Sequence, residues 1–144
     1  MTPQTLPSVT IVRHMKAPPA KVWAAITQPS QMIQWWGPDA GPTLKAEAEV
    51  RPGGRYSIIF RLLDGSEHNP TGVYRIVEPP KTLAFTWEWP GSAERESLVT
   101  FRLTPTEDGT RLTLVHEQLP EDAVASHEAG WNGLLDKLHQ FLGE

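Results

Sequence analysis

The chain has 144 residues, a formal net charge of −4 and no cysteine; that length suits one domain, expected over 1–144, burying roughly 70% of its unfolded surface without staples. Without cysteine, disulfides, thiolate metal sites and cysteine nucleophiles are excluded. An acidic balance with no Lys/Arg cluster argues against nucleic acid or an anionic membrane as partner. Residues 1–8 carry no leader pattern, and no run approaches the ~20 apolar residues of a membrane span, so no membrane insertion and a cytoplasmic location are expected.

Val9 to Met15 is β-branched and partly alternating, and predicts a first strand. Ala17-Pro18-Pro19 stops it, and a proline in the first turn can open a helix through Ile26. Val22, Trp23 and Ile26 fall on one face of that helix. Gln28-Pro29-Ser30 breaks it, and a second short helix is expected from Pro29 to Trp35, stopped at Trp36-Gly37-Pro38.

From Thr43 to Glu117 the pattern changes to about six strands in up-and-down antiparallel order. They are read as Leu44 to Arg51, Arg55 to Leu63, His68 to Glu78, Thr82 to Trp89, Glu96 to Pro105 and Arg111 to Glu117. Pro52-Gly53-Gly54, Asp64-Gly65, Pro79-Pro80, Pro90-Gly91 and Asp108-Gly109 supply the turns, and Pro70 suggests an edge or irregular start. A last helix is expected to start near Pro120-Glu121-Asp122, where proline and carboxylates suit an N-terminus. Trp131, Leu134, Leu135, Leu138, Phe141 and Leu142 make its apolar stripe, while Gly130 and Gly133 weaken it but allow close approach.

Alternation along the strands places Tyr56, Ile58, Phe60, Leu62, Tyr74, Ile76, Leu83, Phe85, Trp87, Trp89, Val99, Phe101, Leu103, Leu112, Leu114 and His116 on the inner face. Two readings follow: a bulky core, or the wall of a cavity. Tyr, Trp and His carry polar atoms that cost roughly 1–3 kcal/mol each if buried unpaired, which favours water or a ligand inside. Of Trp35 and Trp36, one ring is expected to plug the core and the other to face outward or lie along the rim. Ser57 and Ser97 are expected to face outward.

The five histidines show no HxH or HExxH spacing, so no metal or other cofactor is expected. His68, His116 and His127 could converge only through tertiary structure. No nucleophile–base pair or phosphate loop stands out. Catalysis therefore has one weak candidate, His116, which with Tyr56 or Tyr74 would form an acid–base set. Arg61, Arg75 and Arg102 offer an outer surface to a protein partner, or simply a solvated face.

The order strand, two short helices, six strands, long helix resembles the helix-grip fold, an α+β architecture in which a curved antiparallel sheet of about six to seven strands wraps the last helix. Ala17-Pro18-Pro19-Ala20-Lys21-Val22-Trp23 resembles the opening of helix one in START-like, Bet v-type domains of the SRPBCC superfamily. Gln34-Trp35-Trp36-Gly37-Pro38, the run from Arg51 to Tyr56, that from Gly72 to Leu83, that from Thr110 to Glu117 and Gly130-Trp131 are similar to one bacterial branch. That branch is related to the C-terminal domain of the activator of the ninety-kilodalton heat-shock chaperone's ATPase. The resemblance implies a cavity between sheet and C-terminal helix, holding a small hydrophobic or amphipathic ligand such as a lipid or polyketide. Its expected lining is Trp36, Tyr56, Ile58, Phe60, Tyr74, Phe85, Trp87, Phe101, His116 and Trp131, with Trp36 near the mouth. A cyclase-like enzyme acting on an aromatic or polyketide substrate is the alternative, and a stress-response cochaperone the third. Because no counterpart of the activator's separate N-terminal domain is present, a chaperone partner is not expected; a homodimer is left open.

Overall fold

The protein is described by a computed structural model, which covers residues 8–36, 43–88, 97–119 and 124–143. Strand β1 (Val9–Met15) leads into helices α1 (Pro19–Thr27) and α2 (Pro29–Trp35). Strands β2 (Thr43–Ala48), β3 (Arg55–Arg61), β4 (Glu67–His68), β5 (Thr71–Glu78), β6 (Thr82–Trp87), β7 (Ser97–Thr106) and β8 (Gly109–Glu117) follow, and helix α3 (Val124–Leu142) comes last. All strands join one antiparallel sheet in the order β1-β8-β7-β6-β5-β3-β2, with β4 paired to β3. This is the expected helix-grip architecture. Trp89, Gly37-Pro38, Pro90-Gly91 and Pro120-Glu121-Asp122 lie outside the described residues.

Both short helices begin with proline in the first turn, where the absent N–H has no partner to lose. Val22 and Ile26 of α1 are buried and Trp23 is half-buried. Residues Trp131, Leu134, Leu135, Leu138 and Leu142 of α3 are buried, so the three- and four-residue spacing made the inner stripe as expected. Arg13 pins β1 to α3, donating to Asp136 Oδ1 at 2.7 Å and Asn132 Oδ1 at 2.9 Å. No helix among the described residues is long and apolar enough to cross a membrane.

Three local readings need correction. The stretch from His68 to Glu78 is two strands, because Pro70 has no N–H to give the ladder. Asn69 Nδ2 takes over part of that role, donating to Ile58 O at 2.7 Å. Ile76, expected inward, is 43% exposed. The register between β5 and β6 shifts between Tyr74 and Ile76, so a bulge reverses the side-chain parity beyond Tyr74. Ser97, expected outward, is 3% exposed. It lies two residues from buried Val99 and four from buried Phe101, so strand parity itself puts it inside.

Candidate functional site

Ile26 of α1, Met32 of α2, Trp36 just past α2, Tyr56 and Ile58 of β3, Tyr74 of β5 and Phe85 of β6 line a small cavity of about 10 Å³. That is room for roughly one water. Of the ten residues expected to line a cavity, Trp36, Tyr56, Ile58, Tyr74 and Phe85 do so. It is roofed by α1 and α2, not by α3; Ile26 and Met32 are lining residues that strand alternation could not supply.

Tyr56 crosses the floor of this cavity. Its hydroxyl donates to the Thr86 carbonyl at 2.6 Å, and its ring sits edge-on to Phe85 at 5.1 Å and tilted against Tyr74 at 5.6 Å. The ring can lie there because its cross-strand partner is Gly72. A Cβ at Gly72 would overlap the Thr86 carbonyl oxygen and stand 2.7 Å from the Tyr56 ring. Gly72→Ala is therefore expected to lose about 1–3 kcal/mol of stability, as overpacking does, while Gly53→Ala, with no atom within 4 Å, is strained only by its left-handed backbone at φ +86°, at about 1–2 kcal/mol. Urea unfolding of the two variants checks this. Burial holds both tyrosine hydroxyls protonated, well above their usual pKa.

The other five expected residues gather elsewhere. Phe60 stacks on His68, with ring centroids 5.6 Å apart. Trp87, Phe101, His116 and Trp131 form a packed cluster under α3. Trp131 stands 5.2 Å from Trp87, 6.0 Å from Phe101 and 5.9 Å from His116. At its centre His116 is fully buried. Trp131 Nε1 donates to His116 Nδ1 at 2.9 Å, and His116 Nε2 meets Ser97 Oγ at 2.7 Å. An indole N–H can only donate, so Nδ1 is the acceptor and the imidazole proton sits on Nε2. Ser97 accepts that proton's hydrogen bond and passes its own on to the Trp87 carbonyl at 3.3 Å. The chain of donors runs in one direction, from α3 through β8 and β7 to β6.

Burial, and secondly the neighbouring His127 with its ring 5.0 Å away, push the His116 pKa down to about 3. His116 is thus neutral at physiological pH with both nitrogens engaged, and the serine beside it is not activated: its partner nitrogen gives a proton where a general base would take one. His116 and His127 do come together, whereas His68 is held at the β4 turn by Ser66 Oγ at 3.1 Å. Among the described residues no three His, Cys, Asp or Glu side chains gather to hold a metal.

Trp35 and Trp36 are both buried, at 1% and 2% exposure, so neither lies on a rim. They differ in their tethers. Trp35 Nε1 donates to the Ala25 carbonyl at 2.9 Å. Trp36 Nε1 is buried and finds no hydrogen-bond partner among the described residues. The Trp36 backbone is fixed three times: its N–H donates to Met32 O at 3.0 Å, and its carbonyl accepts from Thr43 Oγ1 and from Lys137 Nζ at 3.3 Å.

A curved antiparallel sheet gripping a C-terminal helix, with two short helices closing one end, defines the protein as a helix-grip, START-like domain. Residues 16–143 match the family model described as Activator of Hsp90 ATPase homolog 1-like protein, and the chain belongs to that family. Among solved structures it is similar to a protein of Mesorhizobium loti, at 30% identity and a TM-score of 0.79, covering 94% of this chain and 96% of that one. A Chromobacterium violaceum protein shares the fold at 24% identity and a TM-score of 0.87, covering 95% and 97%. So does an AHSA1-like protein from Aeromonas hydrophila, at 22% identity and a TM-score of 0.80, covering 94% and 91%. A search of the curated proteins returns no match.

Proposed function

We propose that this protein binds a small, uncharged, largely apolar molecule bearing a hydrogen-bond acceptor, in the space between α1, α2 and the β3–β5–β6 part of the sheet. The carrying observation is the Trp36 indole N–H, a buried donor without a partner among the described residues, on a wall of apolar and aromatic side chains. Leaving such a donor unsatisfied costs roughly 1–3 kcal/mol, which an entering acceptor atom recovers. Pockets of this kind combine apolar and aromatic walls with a few placed polar groups. The lining carries no charged side chain, so an ionised ligand would be desolvated without compensation. As it stands the space holds only a water, so ligand entry goes with movement of its lining side chains. The acid–base alternative lacks its group, since both nitrogens of His116 are already committed.

The test is calorimetric titration with a panel of small aryl ketones and matched hydrocarbons of the same shape. The ketones are expected to bind more tightly, and Trp36→Phe should remove that preference, about 1 kcal/mol or fivefold between ketone and hydrocarbon of the same shape. If no member of either set binds at millimolar concentration, the proposal fails.

A further inference from the structure

The two aromatic assemblies described above meet at one side chain. Trp36 lines the small cavity with Tyr56, Tyr74 and Phe85. Its ring also lies nearly parallel to Trp87, at 6.2 Å and 21°, and edge-on to Trp131 at 6.0 Å. Trp87 and Trp131 border His116 and are not part of the cavity lining. The indole of Trp36 thus stands between the small cavity and the packed Trp87–Trp131–His116 cluster.

We infer that Trp36 is an internal partition and the specificity-determining residue of the binding site, setting how long a ligand the protein accepts. This rests on the binding function proposed above. The geometry that carries it is the contrast in tethering. The Trp36 backbone is held from α2, β2 and α3, so the segment does not need to move. Its indole N–H has no hydrogen-bond partner among the described residues, unlike those of Trp35 and Trp131, which are both engaged. Turning that ring moves one side chain while the backbone stays held. The space it yields is a flat slot, one face against Trp87 and one edge at Trp131. With the indole in place, a ligand is confined to the α1–α2 side. With the indole displaced or shortened, the slot continues to the Trp131–His116 pair and takes a longer planar ligand.

The experiment compares wild type, Trp36→Leu and Trp36→Phe with Ile58→Ala, which enlarges the same cavity from the sheet side and leaves the partition standing. Each is titrated by calorimetry with aryl methyl ketones of one, two and three fused rings, and the Trp131 indole N–H resonance is followed by NMR. Trp36→Leu is expected to shift affinity toward the longer ketones by about tenfold or more relative to the one-ring member. It should also move the Trp131 resonance on binding. Trp36→Phe should give a smaller shift in the same direction. Ile58→Ala is expected to change affinities without moving the Trp131 signal. If the Trp36 and Ile58 variants show the same length profile and leave Trp131 unmoved, the partition is refuted while the binding function stands. Should no form bind any ketone, both fall. If Trp36→Leu does not fold, Trp36→Phe against Ile58→Ala decides on the same readout.

Discussion

His116→Ala is expected to lose about 3–8 kcal/mol of folding stability, against the roughly 5–15 kcal/mol a domain has in reserve. Two terms add. Removing a fully buried ring leaves a cavity among Trp87, Trp131 and His127, and large-to-small changes of that size cost about 2–5 kcal/mol. The Trp131 N–H then loses its acceptor, adding roughly 1–3 kcal/mol unless a water enters. Ser97→Ala should be milder, about 1–2 kcal/mol, since it removes few atoms and orphans only the His116 Nε2–H. Urea unfolding followed by tryptophan fluorescence checks the order. A His116→Ala cost below that of Ser97→Ala would mean the imidazole is not the hub of the hydrogen-bond chain.

The second large effect is acid sensitivity. The His116 pKa is about 3 in the folded protein, against about 6.5 when unfolded. Between those values the unfolded chain binds a proton that the folded protein refuses, so stability falls as pH falls. Above the unfolded value the residue is neutral in both states and contributes no slope. Below it the loss approaches about 1.4 kcal/mol per pH unit and levels off only near the folded pKa. The barrier to protonation has a geometric side too, since a proton on Nδ1 would face the Trp131 N–H donor to donor. Comparing wild type with His116→Phe from pH 7.5 to pH 4.5 isolates the term. The stability gap between them should narrow steadily below the unfolded pKa in favour of the phenylalanine variant. Parallel curves would show that His116 takes up its proton while folded.

Much of this fold is legible in the sequence because its turns are marked. Proline and glycine punctuate nearly every strand, and the leucine spacing of α3 has one periodic solution. The site is harder to read. Alternation says that Tyr56 and His116 point inward but not that they end in different assemblies, since the sheet's curvature decides which inner residues meet. Nor does it mark Gly72, whose importance is the room it leaves under the Tyr56 ring. Ile76 escaped because a bulge has no reliable local signature, and Pro70 pointed to irregularity without saying where parity would change. Ser97 was readable: counting back from Val99 places it inside. The tether that separates Trp36 from Trp35 is invisible along the chain, because it depends on where the Ala25 carbonyl stands in space.

The closeness of Trp36 to Trp87 and Trp131 gives the interior an optical signature. Indole transitions at such separations couple, and the sign and size of the resulting circular dichroism depend on the angles between the rings. A near-parallel pair and an edge-on pair sharing one chromophore will respond differently when that chromophore turns. Any movement of Trp36 therefore rewrites the ellipticity of all three. The protein carries its own label at the residue that borders both the cavity and the His116 cluster.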